Sequence, residues 1–167
     1  TTRFARNMTH VLETGFEYME TNNPNGSPKV RGYNIINGEL TLASDGATYE
    51  SINPAWLDDC LGEFPLSTKE DVHDALRAAR VAFPDWAATP APTRGQVIGN
   101  MGRLLMQHKD ELVRLQAREI GKTIKECGGE IQEAIDTCLF FQSEGRRLYG
   151  QTVNSELPNK ELFTYRR

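Results

Sequence analysis

Between Thr123 and Tyr149 the apolar residues hold a helical period over the longest run in the chain, and this run limits how the rest can fold. Ile124, Cys127, Ile131, Ala134, Ile135, Cys138, Leu139 and Leu148 stack on one side of a helix at largely three- and four-residue steps. Such a side has to be buried. Thr123 can cap the first amides while Glu126, three residues on, reaches back to the cap, the reciprocal arrangement of a capping box. Gly121 suits the left-handed turn that closes a preceding helix, so two helices meet at Gly121-Lys122.

Ahead of this run the chain changes period several times. Phe4 to Met19 carries Phe4, Met8, Val11, Leu12, Phe16 and Met19 at helical spacing, which predicts a short amphipathic helix that docks on protein; its polar side holds too few cations for a membrane surface. Asn22 to Pro28 is dense in turn formers and too polar to bury, and reads as a linker. From Tyr33 the pattern is that of strands. Tyr33 to Ile36 and Glu39 to Leu42 flank Asn37-Gly38, the pair that best tolerates the positive φ angles of a type I′ hairpin turn. Ser44-Asp45-Gly46 predicts a second turn and Ala47 to Ile52 a further strand ended by Asn53-Pro54, while Cys60 to Phe64 reads as another strand.

Thr68 or Ser67 caps a helix with Val72, Ala75, Leu76, Ala79 and Phe83 on one face, which Pro84 is expected to stop. Asp85 to Pro92 bridges to a helix over Thr93 to His108, whose Gly95, Gly99 and Gly102 each cost about 1 kcal/mol against alanine. Close approach of a neighbouring backbone explains such glycines; a nucleotide-cradling loop is the alternative, but the spacing is helical and no strand precedes it. Asp110 to Ile120 predicts a third helix, and Thr123 to Tyr149 is the fourth. Gln151 to Val153 and Leu162 to Arg167 read as strands, and a chain ending inside the second suggests truncation.

A length of 167 residues suits one domain. A net charge of -4 with mixed signs leaves no basic stripe for a phosphate backbone, which argues against nucleic acid as a partner. No long apolar run or signal-type leader is present, so neither a membrane span nor a secretory route is expected. The three cysteines, Cys60, Cys127 and Cys138, lack the paired spacings of a zinc site and fit buried, inert thiols in a reducing cytoplasm. His10, His73 and His108 lie on separate predicted helices among charged neighbours and read as solvated. No paired carboxylates, Ser-His-Asp set, metal cluster or phosphate loop can be assembled from spacing, so no catalytic, cofactor-binding or metal residue is assigned.

The order of parts nevertheless carries a resemblance. Ile36-Asn37-Gly38-Glu39, Ile52 to Ala55, Ala75 to Ala87, Pro90 to Ile98, Arg118 to Lys122, Gly129 to Asp136 and the closing Tyr165-Arg166-Arg167 follow one another as in the N-terminal third of the aldehyde dehydrogenase superfamily. Pro90 to Gly95 and Glu144 to Gly150 are similar to the bacterial semialdehyde dehydrogenases and the antiquitin-like branch. The resemblance implies an α/β fold: a β-hairpin and about four helices around the parallel sheet of a cofactor domain, then the start of an oligomerisation β-arm. It divides the chain into an N-terminal extension with helix and linker (1–32), the N-terminal part of the NAD(P)-binding domain (33–149) and the start of the β-arm, apparently truncated (150–167).

The activity implied is NAD- or NADP-dependent oxidation of an aldehyde to a carboxylic acid. In the family a cysteine thiolate attacks the carbonyl, hydride passes to the nicotinamide and a glutamate activates the hydrolytic water. That nucleophile follows Gly-Gln-x, which precedes none of Cys60, Cys127 or Cys138. The resemblance places the catalytic pair and the cofactor strands downstream of Arg167. These residues alone are therefore expected to be inactive and to bind no cofactor, their partners being the remainder of the enzyme and identical subunits. In some relatives a structural monovalent cation lies near positions matching Ser51 and Glu119; for Glu119 a plain helix-end carboxylate is the preferred reading. The alternative to an enzyme portion is a non-catalytic module that joins a full-length subunit by strand addition.

Overall fold

The computed structural model describes residues 17–19, 23–24 and 26–166. Its elements run β1 (Glu17–Met19), β2 (Lys29–Arg31), β3 (Asn34–Ile36), β4 (Glu39–Thr41), β5 (Thr48–Ile52), β6 (Cys60–Pro65), α1 (Lys69–Ala88), α2 (Ala91–Gln107), α3 (Lys109–Ile120), α4 (Ile124–Glu144), β7 (Thr152–Val153) and β8 (Leu162–Phe163).

The strands form three groups. Asn37 and Gly38 take φ of 55° and 78° and turn β3 back on β4 as the Asn-Gly pair requires. β5 and β6 pair antiparallel, with a register shift between Ser51 and Ile52. β6 also pairs in parallel with β2, giving a four-stranded sheet in the order β1-β2-β6-β5. β7 and β8 make a separate antiparallel pair near the end of the chain.

The helix layer is centred on α4. Cys127 and Ile135 are fully buried and Cys138 nearly so, with α2 and α3 packed against them, while Ile124, Ala134 and Leu139, expected on the same buried side, are exposed because α2 and α3 cover only its middle. α4 starts on the reciprocal Thr123–Glu126 cap, and α3 ends on Gly121 at φ 67°. The α2 glycines are spent on close approach: a Cβ at Gly95 would stand 2.4 Å from the Gln142 carbonyl oxygen, and one at Gly102 2.8 Å from the Cys138 Cβ.

Several expectations are corrected. The helix expected over Phe4–Met19 lies mostly outside the described residues, and its last three residues are strand β1, whose backbone pairs with β2 in place of a helical turn. Asn23, expected in an exposed linker, is buried because its side-chain amide finds partners on the Cys60 backbone. Pro84 does not stop α1, which runs on to Ala88; this stretch is exposed, so water can serve the carbonyl that proline leaves unpaired. α2 begins at Ala91 rather than Thr93 because Pro92 sits at the helix start, where its missing N–H costs nothing. α4 ends at Glu144, leaving Leu148 outside, since Gly145 abuts the Ala91 carbonyl. β8 stops at Phe163, short of the expected Arg167, with one further bond from the Thr164 amide to the Gln151 carbonyl.

The α1 face was expected to be buried, and it is not. Val72, Leu76 and Phe83 stand 53%, 55% and 66% exposed, and Asp71 is the one residue of α1 that is buried.

Candidate functional site

The strongest polar constellation among the described residues joins sheet to helices. Asp59, in the loop before β6, is 1% exposed. Arg118, in the last turn of α3, donates to it twice, Nε to Oδ2 at 3.0 Å and Nη2 to Oδ1 at 2.8 Å. Asn53 Nδ2 adds a third bond at 3.1 Å, and the Asn53 amide donates to the Asp59 carbonyl. This paired geometry is what lets a carboxylate sit in the interior. Sequence reasoning missed it; the available signal was Asp58-Asp59 running directly into the apolar Cys60-Leu61.

A second cluster lies where α3 hands over to α4. Lys122 Nζ pairs with Glu130 Oε1, and Gln116 Nε2 donates to Glu130 Oε2 at 2.6 Å. The hydrogen bond to Glu130 raises the Lys122 ammonium above its ordinary pKa, while the Thr123 hydroxyl and then its amide lower that of Glu126. Asp71 closes the cap of α1: the Thr68 amide, at 2.7 Å, and then the Ser44 amide, at 3.0 Å, hold its carboxyl below the usual range.

Cys60, Cys127 and Cys138 are free and buried, whereas a nucleophilic thiolate needs access and an electropositive neighbour. The acceptors facing Cys60 Sγ are the Glu50 carboxylate, at 3.8 Å, and the Gly62 carbonyl, at 3.9 Å. His73 and His108 are exposed, the latter 3.3 Å from Glu111, and His10 lies outside the described residues. Ser51 sits in the β5 ladder opposite Gly62, and Glu119 is exposed on the last turn of α3. Among the described residues no three His, Cys, Asp or Glu side chains gather where a metal could be held.

No dinucleotide cradle is formed among the described residues. The α2 glycines face α4 rather than a phosphate. A hollow lined by residues 106–111 and Arg114 lies at the α2–α3 junction, with no strand-to-glycine-loop turn beside it. No helix among the described residues is long and apolar enough to cross a membrane.

The geometry thus defines a scaffold: a helix layer clasped to a small sheet, with a hairpin on its flank. The sequence pattern of the aldehyde dehydrogenase family matches residues 41–167, and the chain belongs to that family. It is 37% identical over 131 residues to the alpha-ketoglutarate semialdehyde dehydrogenase of Haloferax volcanii, covering 78% of this chain and 27% of that one. It is 36% identical over 139 residues to the NADP(+) succinate-semialdehyde dehydrogenase of Escherichia coli, covering 83% and 29%. Among solved structures, the NAD-dependent aldehyde dehydrogenase from Sinorhizobium meliloti superposes with a TM-score of 0.76 at 26% identity, covering 85% of this chain and 29% of that one. The chain therefore spans under a third of the length of the relatives it matches. The resemblance read from the order of motifs is borne out, and so is the α/β fold, with four helices among the described residues.

Proposed function

We propose that this chain forms the N-terminal portion of an NAD- or NADP-dependent aldehyde dehydrogenase that oxidises a semialdehyde to a carboxylic acid. The observation that carries the reading is the family match over residues 41–167 within relatives more than three times the covered length. In this reading residues 33–149 belong to the cofactor domain and residues 150–167 open the arm through which identical subunits associate. The contribution of these residues is positional. The Asp59–Arg118 pair fixes sheet to helix layer, and α4 supplies the spine on which α2 and α3 rest. The semialdehyde preference rests on the named activities of the two sequence relatives, one of them NADP-dependent. The buried, unbridged thiols suit the cytoplasmic setting we propose.

The test is an assay of the natural polypeptide, and separately of residues 1–167, with NAD+ or NADP+ and succinic or alpha-ketoglutaric semialdehyde. Nicotinamide reduction by the natural polypeptide, with none by residues 1–167, is the expected result. Turnover by residues 1–167 alone, or a natural polypeptide that oxidises no aldehyde, overturns it. The second outcome would favour the non-catalytic module, which the β7–β8 pair in its two-stranded sheet supports, since such a ribbon has edges open to a further strand.

A further inference from the structure

An asparagine side chain meets the next main-chain nitrogen with least hindrance when glycine follows, because glycine has no Cβ beside its N–H. That nitrogen can displace ammonia from the side-chain amide where the backbone geometry allows. Asn23 and Asn53 precede prolines, which have no N–H to give. Gly26, after Asn25, and Gly46, after Asp45, spend their amides on the Asn23 and Ala43 carbonyls at 2.9 and 2.8 Å. Asn37-Gly38 differs. Asn37 is exposed at the tip of the β3–β4 hairpin, and the pair that closes the loop is Ile36 with Glu39, outside the two tip residues. With φ of 55° and 78° at the tip the turn is type I′, whose first central residue has ψ of about +30°. That angle sets the Gly38 nitrogen nearly anti to the Asn37 Cβ, whereas closing a ring onto Cγ needs the two eclipsed. The closed hairpin therefore holds the reactants apart.

We propose that Asn37-Gly38 is a deamidation site gated by opening of the β3–β4 hairpin. Once ψ is released, the Gly38 nitrogen gives up its proton and bonds to Asn37 Cγ, and the side-chain nitrogen takes a proton and leaves as ammonia. Water then opens the resulting succinimide at either carbonyl, giving aspartate or isoaspartate at position 37. Asp-Gly suits the same turn, so the first product closes again with one more negative charge. Isoaspartate carries the main chain through an extra methylene, which a two-residue turn in the Ile36–Glu39 register does not hold, and that hairpin stays open. The gate is a weak one. β3 and β4 stand as their own two-stranded sheet, Ile35 is 61% exposed, and a tie to the start of α1 runs from Asn34 Nδ2 to Ser67 Oγ at 2.9 Å.

Incubation of residues 1–167 at mildly alkaline pH, with peptide mapping that separates asparagine, aspartate and isoaspartate at position 37, tests this. A synthetic peptide of residues 33–42 and the chain unfolded in guanidinium chloride are expected to convert at a common rate, and the folded chain at least about tenfold slower. Ser67→Ala, which removes the tie to Asn34, is expected to speed the folded chain about fivefold and to leave the unfolded chain unchanged. Guanidinium chloride below the unfolding transition is expected to raise the folded-chain rate with a shallower slope than that of global unfolding. Folded-chain conversion as fast as that of the peptide overturns the gate, and a peptide that does not convert overturns the site. A folded-chain rate unmoved by Ser67→Ala, or one that follows global unfolding, overturns hairpin opening as the gating step.

Discussion

Arg118 is the residue on which most of this molecule depends, because its guanidinium is the charge that makes the interior position of Asp59 tenable. Removing it leaves a carboxylate that is 1% exposed with an asparagine amide and backbone neighbours in place of a cation. Arg118→Leu is therefore expected to lower unfolding stability by about 3 kcal/mol, read from urea melts. Arg118→Leu combined with Asp59→Leu is expected to recover part of that loss, because no unpaired charge remains; a double variant that loses more than the single sinks the argument. Two glycines make a second contrast at this scale. A Cβ at Gly129 meets nothing within 4 Å, so Gly129→Ala is expected to gain about 1 kcal/mol from helix propensity. At Gly95 the same atom meets the Gln142 carbonyl, so Gly95→Ala is expected to lose about 1 to 3 kcal/mol. Equal effects at the two sites would mean that the α2–α4 seam is looser than its geometry.

At the scale of elements, the start of α1 is a pH-sensitive joint. Asp71 accepts from the Thr68 amide within its own cap and from the Ser44 amide in the turn after β4, so one carboxylate ties a helix to a hairpin. These bonds lower its folded pKa below the ordinary value of 3.8. The sign follows: its stabilisation is fully present above that unfolded value and is lost as pH falls through the depressed folded value. Melting temperature between pH 6 and pH 2 should therefore fall less steeply in Asp71→Asn than in the unmodified chain, and parallel curves would refute the linkage. The Thr123–Glu126 cap was legible in sequence because it is decided within one turn of chain, whereas for α1 the sequence left Thr68 and Ser67 both open and did not name Asp71. The Asn37-Gly38 hairpin was legible for the same reason. The β2–β6 ladder and the Asp59–Arg118 pair, 59 residues apart, were not: no local pattern states which distant segment will supply a partner.

For the whole molecule the decisive fact is that helical periodicity on α1 promised a buried face and the described residues bury none of it. Val72, Leu76 and Phe83 lie four and seven residues apart on one side of α1, all more than half exposed, whereas α4 buries Cys127, Ile135 and Cys138 against α2 and α3. An apolar stripe of this length calls for a cover, and relatives more than three times the covered length have chain enough to provide one. The consequence separates two settings of the same substitutions. In residues 1–167, changing Val72, Leu76 and Phe83 together to Gln is expected to reduce dye binding to apolar surface and self-association, with a stability change within about 0.5 kcal/mol per site, because exposed side chains lose no packing. In a longer polypeptide that covers α1, the same three changes are expected to cost about 1.5 to 3 kcal/mol for each side chain that becomes buried. Sedimentation and urea melts on both chains distinguish the cases. If the substitutions are neutral in the longer chain as well, α1 is a free helix in the assembled protein and its apolar stripe faces something other than the rest of the fold.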